Sequence, residues 1–419
     1  MMNLFIRNIR RLCTPKTADA ENPSRPVLEI ANAAILISQG QIRQIGTEKE
    51  VTPHVPAGVP VLDAQGRVAL PGFVDCHAHP VFVGERSHEF HQRNAGATYQ
   101  QIAREGGGIA ASARALAEAS VEEIVRQSLP RLDRFLLCGT TTLEAKSGYG
   151  LLWEQEQKQL EAIRLLAGQH PIELVPTFLV HAIPESKNNA RRAFIDDICQ
   201  RMLPAVAEKH LAEAVDIFCE EGAYTVEESR EVLLRARELG LRIKIHANQF
   251  GHSGGALLAA ELGAMSADHL EHLNDGEMDA LTAKKVMCVL LPASVFFLGD
   301  LPYPPARKLI ERGARVAIAT DMNPGSSMTE SLPLCQTIAA IYCHMTPVEL
   351  LWAVTYDAAR ALNRQTQIGS LEVGKEGNVS LWDIPHLEYL SYHFGLSCPT
   401  DVLIKGQPVV SQGRLCYGN

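Results

Sequence analysis

GFVDCHAHP, residues 72–80, puts two histidines one residue apart at the end of an apolar, strand-like run. In extended chain, residues i and i+2 face the same side. His77 and His79 therefore aim two imidazoles into one small volume, and Asp75 shares their parity. Such a pair is either half of a metal site or two unrelated surface histidines, and the stretch alone leaves both open.

Downstream, short apolar runs alternate with amphipathic helical segments, the pattern of βα units around a parallel sheet. After GFVDCHAH come TTTLEAKSG (140–148), ELVPTFLVHA (173–182), AVDIFCEEG (214–222), RIKIHANQ (242–249), SADHLEHL (266–273), VMCVLLPAS (286–294) and RVAIATDMNPG (315–325). Eight such units predict a (β/α)8, TIM-type barrel. An open doubly wound sheet fits less well, because no GxGxxG follows the first run. The triple glycine Gly106–Gly108 has no Gly-Lys-Ser/Thr after it, so it reads as a flexible loop and not a phosphate cradle. Helix starts are marked by Ser120 with Glu123, Thr225 with Glu228, and Thr346 with Glu349, each spaced as a capping box. Pro347 stands at a first helical position, and Gly240 closes a helix.

The two ends of the chain read differently. Residues 1–69 and 365–419 carry short alternating strands between closely spaced turns, the pattern of a small antiparallel sheet. The expectation is one composite β-sandwich built from both termini, flanking a barrel over 70–364. The 419 residues allow a sizeable core, and 46% hydrophobic with 21% charged residues is ordinary for a soluble globular protein. A formal net charge of −9 argues against a nucleic-acid partner. It still permits a small anionic substrate, which one buried arginine can handle locally. Ten cysteines without a CxxC pair suggest a reducing compartment. The amino terminus lacks the pattern of a signal peptide, and the apolar stretch 286–299 is too short to span a bilayer. The expectation is a cytoplasmic protein without a membrane partner.

In a barrel of this kind, sites are built at the C-terminal ends of the strands. Those ends supply His77 and His79, Glu144 and Lys146 with Tyr149 beyond, His181, Glu220 and Glu221, His246 and Gln249, His269, and finally Asp321 with Asn323 and Gly325. Each has an ordinary reading: a buried histidine satisfied by a carbonyl, or an aspartate capping a helix. All of them recurring at one rim is a far less ordinary coincidence. Three neutral imidazoles and one carboxylate, from His77, His79, His246 and Asp321, can hold a divalent metal such as zinc or iron. A bound metal lowers the pKa of water from roughly 15.7 toward about 7, which makes hydroxide available near neutrality. His269, left out of the ligand set, could accept the proton, and Asp321 could shuttle it to a leaving nitrogen.

Through LPGFVDCHAHPVFVGERSHEF, EGGGI, KSGYG, TFLVHAIP, HANQ, SADHLEHL and ATDMNPGSS, the chain resembles the amidohydrolase superfamily and, within it, the imidazolonepropionases. KSGYG and DMNPGSS make that resemblance specific. It implies hydrolysis of 4-imidazolone-5-propanoate to N-formimino-L-glutamate in histidine degradation, with metal at His77, His79, His246 and Asp321. It also implies substrate contacts at Arg86, Tyr149, His181, Gln249, Asn323, Gly325 and Ser326, and a homodimer. Arg86 is the cation suited to a propionate, through paired N–H bonds. Gln249 stands where some relatives carry glutamate; an amide can hold a ring but cannot take a proton, so base duty falls to His269. Asn248, which replaces an expected aspartate, points away from Gln249 in extended chain and should matter little. The fourth run offers Glu220 and Glu221 but no lysine to bridge two metals, so one metal is expected. The rivals are another cyclic amidase or a deaminase of the same superfamily, and a catalytically dead binding protein on the same fold, which would need missing ligands.

Overall fold

The computed structural model describes residues 3–20, 25–97, 101–102, 105–299, 302–395 and 397–418. Strands β1 (Leu4–Pro15), β2 (Val27–Ser38), β3 (Gln41–Thr47), β4 (Val61–Asp63) and β5 (Val68–Pro71) come first. The central strands are β6 (Phe73–Asp75), β7 (Thr140–Lys146), β8 (Glu173–Val180), β9 (Ala214–Cys219), β10 (Arg242–Ala247), β11 (Ser266–His269), β12 (Met287–Leu290) and β13 (Arg315–Ile318). Four short strands follow: β14 (Val379–Trp382), β15 (Asp401–Ile404), β16 (Gln407–Ser411) and β17 (Arg414–Leu415).

Both termini enter one nine-stranded sheet, ordered β17-β16-β15-β14-β5-β1-β2-β3 with β4 also on β1. The joint is the antiparallel pair of β14 with β5, where Val379 faces Pro71 and Trp382 faces Val68. The sheet is mixed, which corrects the antiparallel expectation: β4 and β5 both run parallel to β1. Gln39 and Gly40, both at positive φ, turn β2 back into β3. The chain then returns through the short helix Glu48–Val51 to lie along β1 in β1's own direction. Ile6, Ile9, Leu12, Ile35, Ile37, Leu381 and Leu403 are fully buried within this sheet's own core.

The central strands form the predicted barrel, eight parallel strands in sequence order from β6 to β13. MCVL and RVAI are buried at every position, as strands covered on both faces should be. The barrel is nearly closed: β6 and β13 end the strand order and share no ladder. They are tied instead just beyond their ends. The Asp321 N–H donates to His77 O at 3.0 Å, and the His79 N–H donates to Met322 O at 2.8 Å. Asp75 accepts from the Thr320 hydroxyl at 2.6 Å and from its N–H at 3.3 Å. This seam thus runs through the His-x-His pair and Asp321.

Thr225 and Thr346 make reciprocal capping boxes with Glu228 and Glu349. Ser120 accepts from the Glu123 N–H, but the Glu123 carboxylate turns to Arg126 and Gln127, and that box is half made. The Gly106–Gly108 loop is anchored at two points. The Gly107 N–H donates to Ile102 O, and the Gly108 N–H donates to Glu89 Oε1 at 3.0 Å. All ten cysteines are free. Among the described residues no helix is long and apolar enough to cross a membrane.

Candidate metal centre and active site

His77, His79, His246, His269 and Asp321 are all buried at one rim of the barrel. Two sets of ligand atoms, those of His77, His246 and His269 and those of His77, His79 and Asp321, each lie within 4.8 Å of one another. Asp321 Oδ1 is 3.5 Å from His77 Nε2 and 3.4 Å from His79 Nε2. The fit of a cation is tested by His77. Its Nδ1 lies 2.6 Å from Asp268 Oδ2, which leaves Nε2 buried without a hydrogen-bond partner. Burial, reinforced by the nearby Lys146 ammonium, holds the His77 imidazole well below its usual pKa, so the ring is neutral. A bare lone pair facing a carboxylate in a dry site is costly, and a bound cation removes the cost. Burial likewise brings His246 down to about 4 and His181 to about 3. Neutral imidazoles are the form that ligates metal.

His269 differs. Burial pushes its imidazolium down, but the Glu271 carboxylate, 3.3 Å from Nδ1, together with Asp321 and Asp268, outweighs burial and leaves the pKa raised. Glu271 is itself buried and orients the ring through Nδ1, while all three carboxylates make it more basic.

Beneath the rim lies a wholly buried ionic cluster. Lys146 Nζ is 2.6 Å from Asp216, 3.1 Å from Glu144 and 3.6 Å from Asp268. Lys244 Nζ is 2.6 Å from Glu144 and 3.5 Å from Asp268, and donates to Cys76 O at 2.9 Å. Burial favours a neutral Lys146, but its three carboxylate neighbours reverse that and raise its pKa. The cluster holds the histidines from below. Asp268 takes His77 Nδ1, while Asp216 lies 2.9 Å from His246 Nδ1 and accepts the His246 N–H at 3.1 Å. Glu144 and Lys146, expected at the rim, therefore serve this cluster.

Tyr149 and His181 reach the same space: their ring centroids lie 6.1 Å and 6.0 Å from that of His79 and 5.7 Å apart. Arg86 packs on Gly325, where a Cβ would sit 2.3 Å from its Nη1. Its Nε and Nη2 hold Glu89 at 2.9 Å and 2.6 Å. The Asn323 side chain donates to Asp321 O and Ser326 Oγ and accepts the N–H groups of Gly325 and Ser326, so it shapes its own loop. Ser326 Oγ stands 3.4 Å from Asp321 Oδ2. Gln249 is placed through its backbone, whose N–H donates to Glu220 Oε2 at 2.9 Å. Asn248 is not in the extended chain expected: the strand ends at Ala247, and at φ 55° its amide ties His272 O to Glu277.

The family model described as "Amidohydrolase family" matches residues 68–409. An imidazolonepropionase of Geobacillus sp. (strain WCH70) is 44% identical over 425 aligned residues, covering 100% of both chains. That of Symbiobacterium thermophilum is 43% identical over 92% of each chain. The chain belongs to the amidohydrolase family, among the imidazolonepropionases. Solved structures of lower identity share the fold of this family. An adenosine deaminase from Xanthomonas campestris with bound zinc gives a TM-score of 0.71 at 19% identity, covering 100% of this chain and 95% of that one. Guanine deaminase of E. coli gives 0.74 at 15% identity, covering 98% and 100%.

Sequence reasoning missed Asp216, Lys244, Asp268 and Glu271. The available signal was parity: Lys244 shares a strand face with His246, two residues on. Breaking a buried ion pair strands the remaining charges. Lys146→Met leaves three carboxylates facing one ammonium, and is expected to cost about 3–5 kcal/mol in chemical denaturation. A loss below about 1 kcal/mol would contradict the cluster's structural role.

Proposed function

We propose that His77, His79, His246 and Asp321 hold one divalent metal, zinc or iron, and that this centre hydrolyses the cyclic amide C–N bond of 4-imidazolone-5-propanoate to N-formimino-L-glutamate. The observation that carries the substrate is identity of 44% with an imidazolonepropionase along the whole chain. The buried, unpartnered Nε2 of His77 facing Asp321 supports the metal. Among the described strand-end residues, the end of β9, the fourth strand of the barrel, offers Glu220 and not lysine, which supports one ion.

A metal in this cage supplies Lewis acidity and a water acidic enough to ionise near neutrality. The protein does the rest. His269, raised by Glu271, takes the proton from the attacking water. Asp321, with Oδ2 directed to Ser326, then relays that proton from His269 to the departing ring nitrogen as the C–N bond breaks. Tyr149 and His181 hold the ring beside His79. Arg86 meets the propionate on the Nη1 edge left beside Gly325, because its other edge holds Glu89.

Purified protein should consume freshly generated 4-imidazolone-5-propanoate, seen as loss of its ultraviolet absorbance, with formimino-glutamate as product and with activity abolished by chelation. Turnover confined to other cyclic amides or to deamination substrates would overturn the substrate. His269→Ala should lose at least about 100-fold in kcat while keeping its metal. Undiminished turnover would remove His269 as the base.

A further inference from the structure

The loop from Ser147 to Leu151 carries Tyr149 into the site, and Ser147 Oγ ties its start to β8 by accepting the Leu179 N–H at 3.2 Å. Its backbone is held from behind by two side chains of the helix Trp153–Gln169. Glu156 Oε2 accepts the Gly148 N–H at 3.0 Å, and Oε1 accepts the Leu151 N–H at 2.8 Å. Gln159 Oε1 accepts the Tyr149 N–H at 3.0 Å, while its Nε2 donates to Val81 O at 2.7 Å, just past the His-x-His pair. Glu156 is 2% exposed and Gln159 fully buried. The loop lies so close to the helix that a Cβ on Gly150 would sit 2.1 Å from the Glu156 nitrogen. Leu151 sits at φ 61°, a conformation a branched side chain adopts only when its surroundings impose it. The loop then hands its order on, because Gly148 O lies 3.2 Å from His181 Nδ1. A carbonyl only accepts, so Nδ1 carries the proton and the Nε2 edge of the neutral ring is an acceptor.

We infer that Glu156 and Gln159 are positioning residues of the substrate subsite, fixing the 147–151 backbone so that Tyr149 and His181 meet the substrate in one geometry. The inference rests on the proposed substrate contacts of those two residues. The side-chain types are matched to their duties. Glu156 faces only donors, the Gly148 and Leu151 N–H groups at 3.0 Å and 2.8 Å with the Ser147 hydroxyl and the Gly150 N–H beside them, and needs two acceptor oxygens. Gln159 faces one donor and one carbonyl and needs an amide. Exchanging the types changes no shape but sets like against like: Glu156→Gln points an NH2 at an N–H, and Gln159→Glu points a carboxylate oxygen at Val81 O.

Both variants are compared with the metal-loaded wild-type chain by amide hydrogen exchange and steady-state kinetics. Each should keep its metal content. Exchange in the 147–152 segment should quicken about tenfold, as for one lost hydrogen bond in a locally opening loop. KM should rise about tenfold with kcat within about threefold of wild type, the split expected when ground-state positioning is lost. Wild-type exchange in the loop of both variants would overturn the inference, whatever the turnover. Faster exchange with unchanged KM would overturn the positioning role and leave the proposed function standing. A wild-type chain inactive on 4-imidazolone-5-propanoate would overturn the function, and exchange alone would then decide the inference. Should Glu156→Gln fail to fold, Gln159→Glu carries the same comparison.

Discussion

Asp268 joins the ionic cluster inside the barrel to the histidines above it, and the site depends on that junction. Its Oδ2 meets His77 Nδ1 at 2.6 Å, with Lys244 and Lys146 at 3.5 Å and 3.6 Å. Taking charges this far from water costs several kcal/mol per ion, so they persist only where partners surround them. Here two ammoniums sit among three carboxylates, and the surplus negative charge is turned toward His77 and His246. A carboxylate behind a ligating imidazole fixes its tautomer and ring orientation and raises its basicity.

The second constraint is the seam. Where β6 and β13 share no ladder, backbone bonds from Asp321 to His77 and from His79 to Met322 close the ring. Those bonds bring together donors that lie far apart in sequence. Four rim residues, Asn248, His269, Leu270 and Asp321, have positive φ, at 55°, 81°, 68° and 51°. Such conformations are sparsely populated and survive where surrounding bonds over-determine them.

The barrel was legible because its signals are local: eight apolar runs, each followed by a helical pattern. The rim residues were legible because His77, His79, His246, His269 and Asp321 all fall at run ends. Lys244 and Asp216 were not, since a charge inside a short strand reads as ordinary alternation with a wet face until the barrel turns that face inward. Asp268 lay unread beside His269 for the same reason. The mixed terminal sheet escaped because strand direction depends on how a connection returns, which alternation does not encode. Glu156 and Gln159 looked like polar positions of an amphipathic helix, and their work appears only once the KSGYG loop lies on that helix. Asn248 was misjudged by assuming extended chain one residue too far.

In the proposed function, His77 and His246, braced from within the barrel, hold one ion together with His79 and Asp321. The direct test is the metal content of the dialysed wild-type chain beside Asp268→Asn, which keeps the shape but removes the charge behind His77. The expected result is one equivalent of zinc or iron per wild-type chain and affinity weaker by about 10–100-fold in the variant. Two equivalents in the wild type, or undiminished affinity in Asp268→Asn, would contradict it.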